Sequence, residues 1–191
     1  MARVRDPESN SRLTAVTAAC LLVLLAIEGA TLLSLRSFLS WHILVGMLLV
    51  PVVGLKLATT GYRFMRYYAG DRAFVAAGPP ALPLRLLGPV VVCSTLGLFG
   101  TGVLLALLGP GTPLVLPLHK ASFVVWLGAM SAHVLGHGLR VRSVATADIR
   151  GQAAGARFRA GVVGGAIAIG AVFAVAAVPL VGPWTHWMAH G

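Results

Sequence analysis

Two ionisable pairs share one spacing. His42 and Lys56 stand fourteen residues apart in "SWHILVGMLLVPVVGLKLATT", and His119 and His133 stand fourteen apart in "HKASFVVWLGAMSAH". On a helix of 3.6 residues per turn, fourteen residues advance about 21 Å and return to within about 40° of the same face. Each stretch is otherwise apolar. An ionisable side chain at the centre of a membrane-spanning helix costs about 2.5–3.5 kcal/mol by insertion scales, so its presence points to function. If the two helices run the same way, His42 faces His119 at one depth and Lys56 faces His133 at another. Imidazoles opposed across a helix bundle are what a b-type haem takes as axial ligands, the porphyrin being held without covalent attachment. Two such levels about 20 Å apart would carry an electron across a bilayer.

The elements that must position these residues follow from composition. Of 191 residues 58% are hydrophobic and only 10% charged, against about 25% charged in ordinary soluble domains. Mean hydropathy is +0.88. The chain therefore reads as an all-α integral membrane protein. Crossing the hydrocarbon takes about 20 mainly apolar residues, and five segments qualify, at about 13–35, 40–60, 86–108, 116–138 and 160–181. The first is too long for the apolar core of a signal peptide and lacks a small-residue cleavage site, so it reads as a retained span. The fifth, "GVVGGAIAIGAVFAVAAVPLVG", carries no ionisable group and reads as a packing helix beside a four-helix haem-binding bundle. The connector "AGDRAFVAAGPPALPLR", rich in Pro and Gly, reads as a loop, while "RVRSVATADIRGQAAGARFR" has room for a short surface helix.

Charge orients the bundle. Arg3, Arg5 and Arg12 precede the first span, Arg63, Arg66, Arg72 and Arg85 lie between the second and third, and Arg140, Arg142, Arg150, Arg157 and Arg159 lie between the fourth and fifth. All twelve fall on one side, leaving Arg36 and Lys120 near span ends on the other. The positive-inside rule puts the N-terminus in the cytoplasm and the C-terminus outside. The net charge of +10 is thereby accounted for by topology and anionic lipid headgroups rather than by nucleic acid.

Each candidate residue has a plainer role beside its chemical one. Lys56 is either an axial ligand through a neutral amine or a side chain reaching for the headgroups or a haem propionate. His137, one turn beyond His133, is a reserve ligand or a proton or quinone contact. The His133 and His137 pair has the spacing of a metal site but no third ligand nearby, which favours haem over zinc. Arg36, Trp41 and Lys120 gather at the outer end, where they neutralise propionates or anchor at the interface. Tyr62, Arg63 and Arg66 offer the same choice at the inner end. Glu28, the one acid well inside a span, is a proton relay or a hydrogen-bond partner for a neighbouring helix. Gly46, Gly54, Gly97, Gly100 and Gly102 give room for a macrocycle or allow close helix packing. Cys20 and Cys93 lie in apolar runs without a CxxCH motif, as buried hydrophobes rather than disulfide or haem-linking thiols. Trp184, His186, Trp187 and His190 form an interfacial tail.

The segments "WHILVGMLLVPVVGLKLATTGYRFMRYYAGD" and "PLHKASFVVWLGAMSAHVLGH" resemble the membrane cytochromes b of bacteria, the group that includes cytochrome b561-like proteins and the membrane subunits of formate dehydrogenase and hydrogenase. The similarity spans the second to fourth helices. It implies one or two b haems in a bundle of about four helices, with His42, His119 and His133 at ligand positions and Lys56 where a fourth histidine is expected. It also implies electron transfer to or from a quinone or another donor, a bacterial-type inner membrane, and an external oxidoreductase partner. No nucleophile, phosphate loop or substrate-pocket signature accompanies these residues, in keeping with an electron-transfer protein or oxidoreductase subunit. The alternative is a membrane scaffold or transporter subunit whose histidines bind a metal or protons.

Overall fold

The structure, a computed structural model, describes residues 6–78, 82–150 and 154–190, with the side chains of 137–149 left aside. Its long helices are α1 (Pro7–Thr31), α2 (Leu35–Tyr68), α4 (Leu82–Leu108), α5 (Val115–Ile149) and α6 (Ala156–His190); a short α3 (Arg72–Ala76) lies between α2 and α4. No strand occurs among the described residues.

Four stretches are long and apolar enough to cross a membrane, and the first runs from Pro7 to Tyr68. That stretch is two helices folded into a hairpin at the 3₁₀ turn Leu32–Ser34, which makes five long helices among the described residues. The hairpin is visible in its cross-links. Glu28 meets His42 across it, each seven residues from position 35, and Thr14 meets Lys56, each twenty-one residues away. The chain is a multi-pass membrane protein, and its surface fits that solvent: Val23, Val124 and Val175 are 63%, 69% and 72% exposed, an apolar coat that water would not tolerate.

Local signals set the helix ends. Asp6 caps α1 by accepting from the Ser9 amide at 3.1 Å, and Pro7 occupies the first turn, where its missing N–H costs nothing. Helix α2 runs beyond its apolar stretch through Tyr62, Arg63, Arg66, Tyr67 and Tyr68, the aromatic and basic residues that suit a headgroup layer. The connector after it is more ordered than its composition suggests. Asp71 caps α3 through the Ala73 amide at 3.0 Å and is paired with Arg66. Arg63 donates to the Gly78 carbonyl at 3.4 Å, and Phe74, 2% exposed, packs edge-on to Tyr62. Three residues considered for propionate binding thus hold the connector on the end of α2.

The packing order is what positions the site. Helix α1 packs on α2 and α5, and α4 packs on α5 and, less extensively, α2, so these four close into a ring. In that ring α2 and α5 lie on one diagonal and α1 and α4 on the other; neither diagonal pair is closely packed. Helix α6 lies chiefly against α2, outside the ring. A Cβ on Gly170 of α6 would collide with the Leu48 carbonyl oxygen and stand 3.2 Å from the Leu48 Cα, so the two backbones touch there. Midway along α2, Leu49 and Val52 are fully buried with Leu21, Val53 and Ala166, an apolar layer between the depth of His42 and that of Lys56.

Candidate functional site

His42 comes from the second turn of α2 and His119 from the second turn of α5. Because α2 and α5 are diagonal, their side chains reach into the ring from opposite sides. The two imidazoles face each other with centroids 6.4 Å apart and planes at 75°. Both are partly buried.

Each ring is held by the neighbouring helix through the same nitrogen. His42 Nδ1 lies 2.8 Å from Glu28 Oε1 and 3.2 Å from Thr31 Oγ1, both on α1. His119 Nδ1 lies 3.1 Å from Thr101 Oγ1 and 3.2 Å from the Leu98 carbonyl oxygen, both on α4. Acceptors at Nδ1 select the tautomer that carries its proton there, leaving Nε2 with a lone pair. No hydrogen bond to either Nε2 occurs among the described residues. A metal-binding histidine is typically prepared in this way: one nitrogen orients the ring and the other is available.

Glycines make room for two side chains of the site. A Cβ on Gly102 would sit 3.1 Å from His119 Cε1, and one on Gly46 would sit 3.4 Å from Glu28 Oε1. Gly97 faces the Ser122 hydroxyl, whereas Gly54 and Gly100 have nothing within 4 Å of a Cβ. The five glycines therefore divide: three admit side chains across helix interfaces and two leave open space.

The spacing between metal-bound imidazoles offers a test of fit. With a metal–nitrogen bond of about 2 Å on each side and about 1.1 Å from nitrogen to ring centre, two imidazoles sharing one ion stand roughly 6 Å apart. The observed 6.4 Å is of that size, which is also the ordinary spacing of two rings in edge contact. Among the described residues no three of His, Cys, Asp and Glu gather as a metal cluster. Zinc would ask three or four ligands of the protein, whereas a porphyrin brings four nitrogens of its own and needs two. Two histidines are fewer than a bare zinc ion takes and as many as a group carrying four nitrogens of its own would need. Compared with protein-family models, curated proteins and solved structures, the chain matches none.

The remaining sequence candidates are placed as follows. Lys56 turns toward α1, where Nζ donates to the Thr14 carbonyl at 3.0 Å. His133 is half-buried on α5, and the His137 side chain lies outside the described residues. Arg36 is exposed and donates to the Met188 carbonyl at 3.1 Å, tying the hairpin turn to the end of α6. Lys120 is exposed beside His119, and Trp41 is 61% exposed. Cys20 is half-buried, and Cys93 is exposed rather than buried; neither is in a disulfide. Sequence reasoning left Glu28 without a named partner and passed over Thr31, Thr101 and the Leu98 carbonyl. The signal for Glu28 was available, since it and His42 are equidistant from the turn. The acceptors on α4 depend on how α4 rotates against α5, which no spacing within one helix records.

Proposed function

We propose that this chain is a b-type membrane cytochrome. It would carry electrons between a quinone or another donor and a partner at the outer, histidine-bearing end. The carrying observation is the pair His42 and His119 on diagonal helices, 6.4 Å apart, with both Nδ1 atoms engaged and both Nε2 atoms available. When bound, the haem supplies one-electron chemistry at its iron. The chain's residues would do the rest: His42 and His119 would hold the iron, Glu28, Thr31, Thr101 and the Leu98 carbonyl orient the two rings, and the apolar helices would keep water out.

Support for an inner haem on Lys56 and His133 is weaker. An amine that donates to the Thr14 carbonyl is committed as a donor, and ligation would require it to leave that bond and shed a proton. We therefore rest the reading on the outer centre. The arginine-rich end would be cytoplasmic, with lipid headgroups around Arg36 and Lys120 at the other.

A pyridine haemochrome assay on protein purified from haem-replete cells tests this. The expected result is at least one b haem per chain, lost in both His42→Ala and His119→Ala. Colourless wild-type protein would refute the reading. It would favour the competing one, a transporter or scaffold subunit, for which the Glu28–His42 pair is a proton site inside a span.

A further inference from the structure

The two rings are held at the same nitrogen but by unlike acceptors. His119 has a hydroxyl and a backbone carbonyl; His42 has a carboxylate oxygen at 2.8 Å and a hydroxyl. Glu28 is the one acid between residues 9 and 70. Its side chain is 15% exposed, and its second oxygen, Oε2, is buried without a hydrogen-bond partner among the described residues. A carboxylate sited there for structure alone is costly, because a glutamine would supply the same acceptor without a charge to desolvate. An acid at this position therefore points to a role that the neutral amide could not fill.

We infer that Glu28 is the positioning residue that sets the redox potential of the His42/His119 centre, by placing a negative charge on the proximal side of one ligand only. This rests on the cytochrome reading above. A ferric haem core carries one net positive charge, which vanishes when the iron gains an electron. A fixed carboxylate hydrogen-bonded to a ligand imidazole stabilises the ferric form in two ways: by charge compensation, and by drawing the Nδ1 proton toward itself so that the ring becomes a stronger donor at Nε2. Both lower the potential. Neutral acceptors on His119 orient that ring without comparable bias. The centre is therefore electronically lopsided, with the imidazolate-like ligand on α2 and the neutral one on α5.

Spectroelectrochemical titration of purified holoprotein, alongside Glu28→Gln and Thr31→Val, tests the assignment. Glu28→Gln keeps an acceptor of the same shape and removes the charge, so haem is retained and the potential rises. Each tenfold loss of preference for ferric over ferrous iron corresponds to about 59 mV for one electron, and a shift of at least that size is expected. Thr31→Val removes the 3.2 Å hydroxyl contact without changing charge, so it separates the loss of an orienting bond from the loss of a charge, and its potential moves less than that of Glu28→Gln. An unchanged potential in haem-loaded Glu28→Gln overturns the inference and leaves the cytochrome reading standing. If Glu28→Gln loses haem, the wild-type ferric electron paramagnetic resonance spectrum decides. The compressed g-spread of one imidazolate-like ligand upholds the inference, and the spread of two neutral imidazoles overturns it. Wild-type protein without haem overturns the cytochrome reading itself, and this inference with it.

Discussion

Replacing Gly102 by alanine puts a methyl group where the His119 ring lies. The new Cβ would stand 3.1 Å from His119 Cε1, whereas carbon atoms rest at about 3.5–4.0 Å. The ring must retreat by a few tenths of an ångström, which takes its Nδ1 bonds from 3.1 and 3.2 Å to the limit of about 3.5 Å beyond which a hydrogen bond is lost. Each lost bond is worth about 0.5–1.5 kcal/mol. The pair together corresponds to about 1–3 kcal/mol, or roughly one to two orders of magnitude in haem affinity. Haem retention is read by titrating apoprotein in detergent with haemin and following the Soret band. Gly100→Ala is the internal control: two residues away on the same helix, its Cβ would have nothing within 4 Å, and it should bind haem like the wild type. Equal affinity in Gly102→Ala and wild type would refute the claim that the α4–α5 interface positions His119.

Gly170→Ala should lower the thermal midpoint in detergent, since the added Cβ meets the Leu48 backbone and overpacking costs about 1–3 kcal/mol; haem content should survive, because α6 lies outside the ring, and Gly161→Ala, with open space around it, should melt no lower than wild type. Lys56→Met should leave the haem count unchanged, the amine being bound to Thr14; a fall from two haems to one, read by pyridine haemochrome, would instead make Lys56 the inner ligand. Asp71→Ala should loosen the connector by removing the α3 cap and the Arg66 partner together. The cost is about 1 kcal/mol for the cap, seen as faster proteolytic cleavage between α2 and α4.

What the residues determined by themselves was the solvent, the apolar segments long enough to cross it and the spacing of the ionisable groups along each helix. Hydropathy identifies five apolar segments because the hydrocarbon thickness dictates their length. A spacing of fourteen keeps His42 and Lys56 on one helix face whatever surrounds them, because helix geometry is local. Sequence likewise marked Glu28 as exceptional, a charge where burial has a cost, and named Gly102 only as one of five glycines with room beside them. The tertiary structure decided who meets whom. It put α2 and α5 on a diagonal, so that His42 and His119 approach, and it assigned α1 and α4 to the flanks, where their acceptors reach Nδ1 of each ring. It turned Lys56 toward the Thr14 carbonyl and used Tyr62, Arg63 and Arg66 to secure a connector. These choices depend on the rotation and tilt of one helix against another. Without water between them, those follow from close packing at positions such as Gly102 and Gly170 and from the few polar bonds available, and no periodicity within a single helix encodes them.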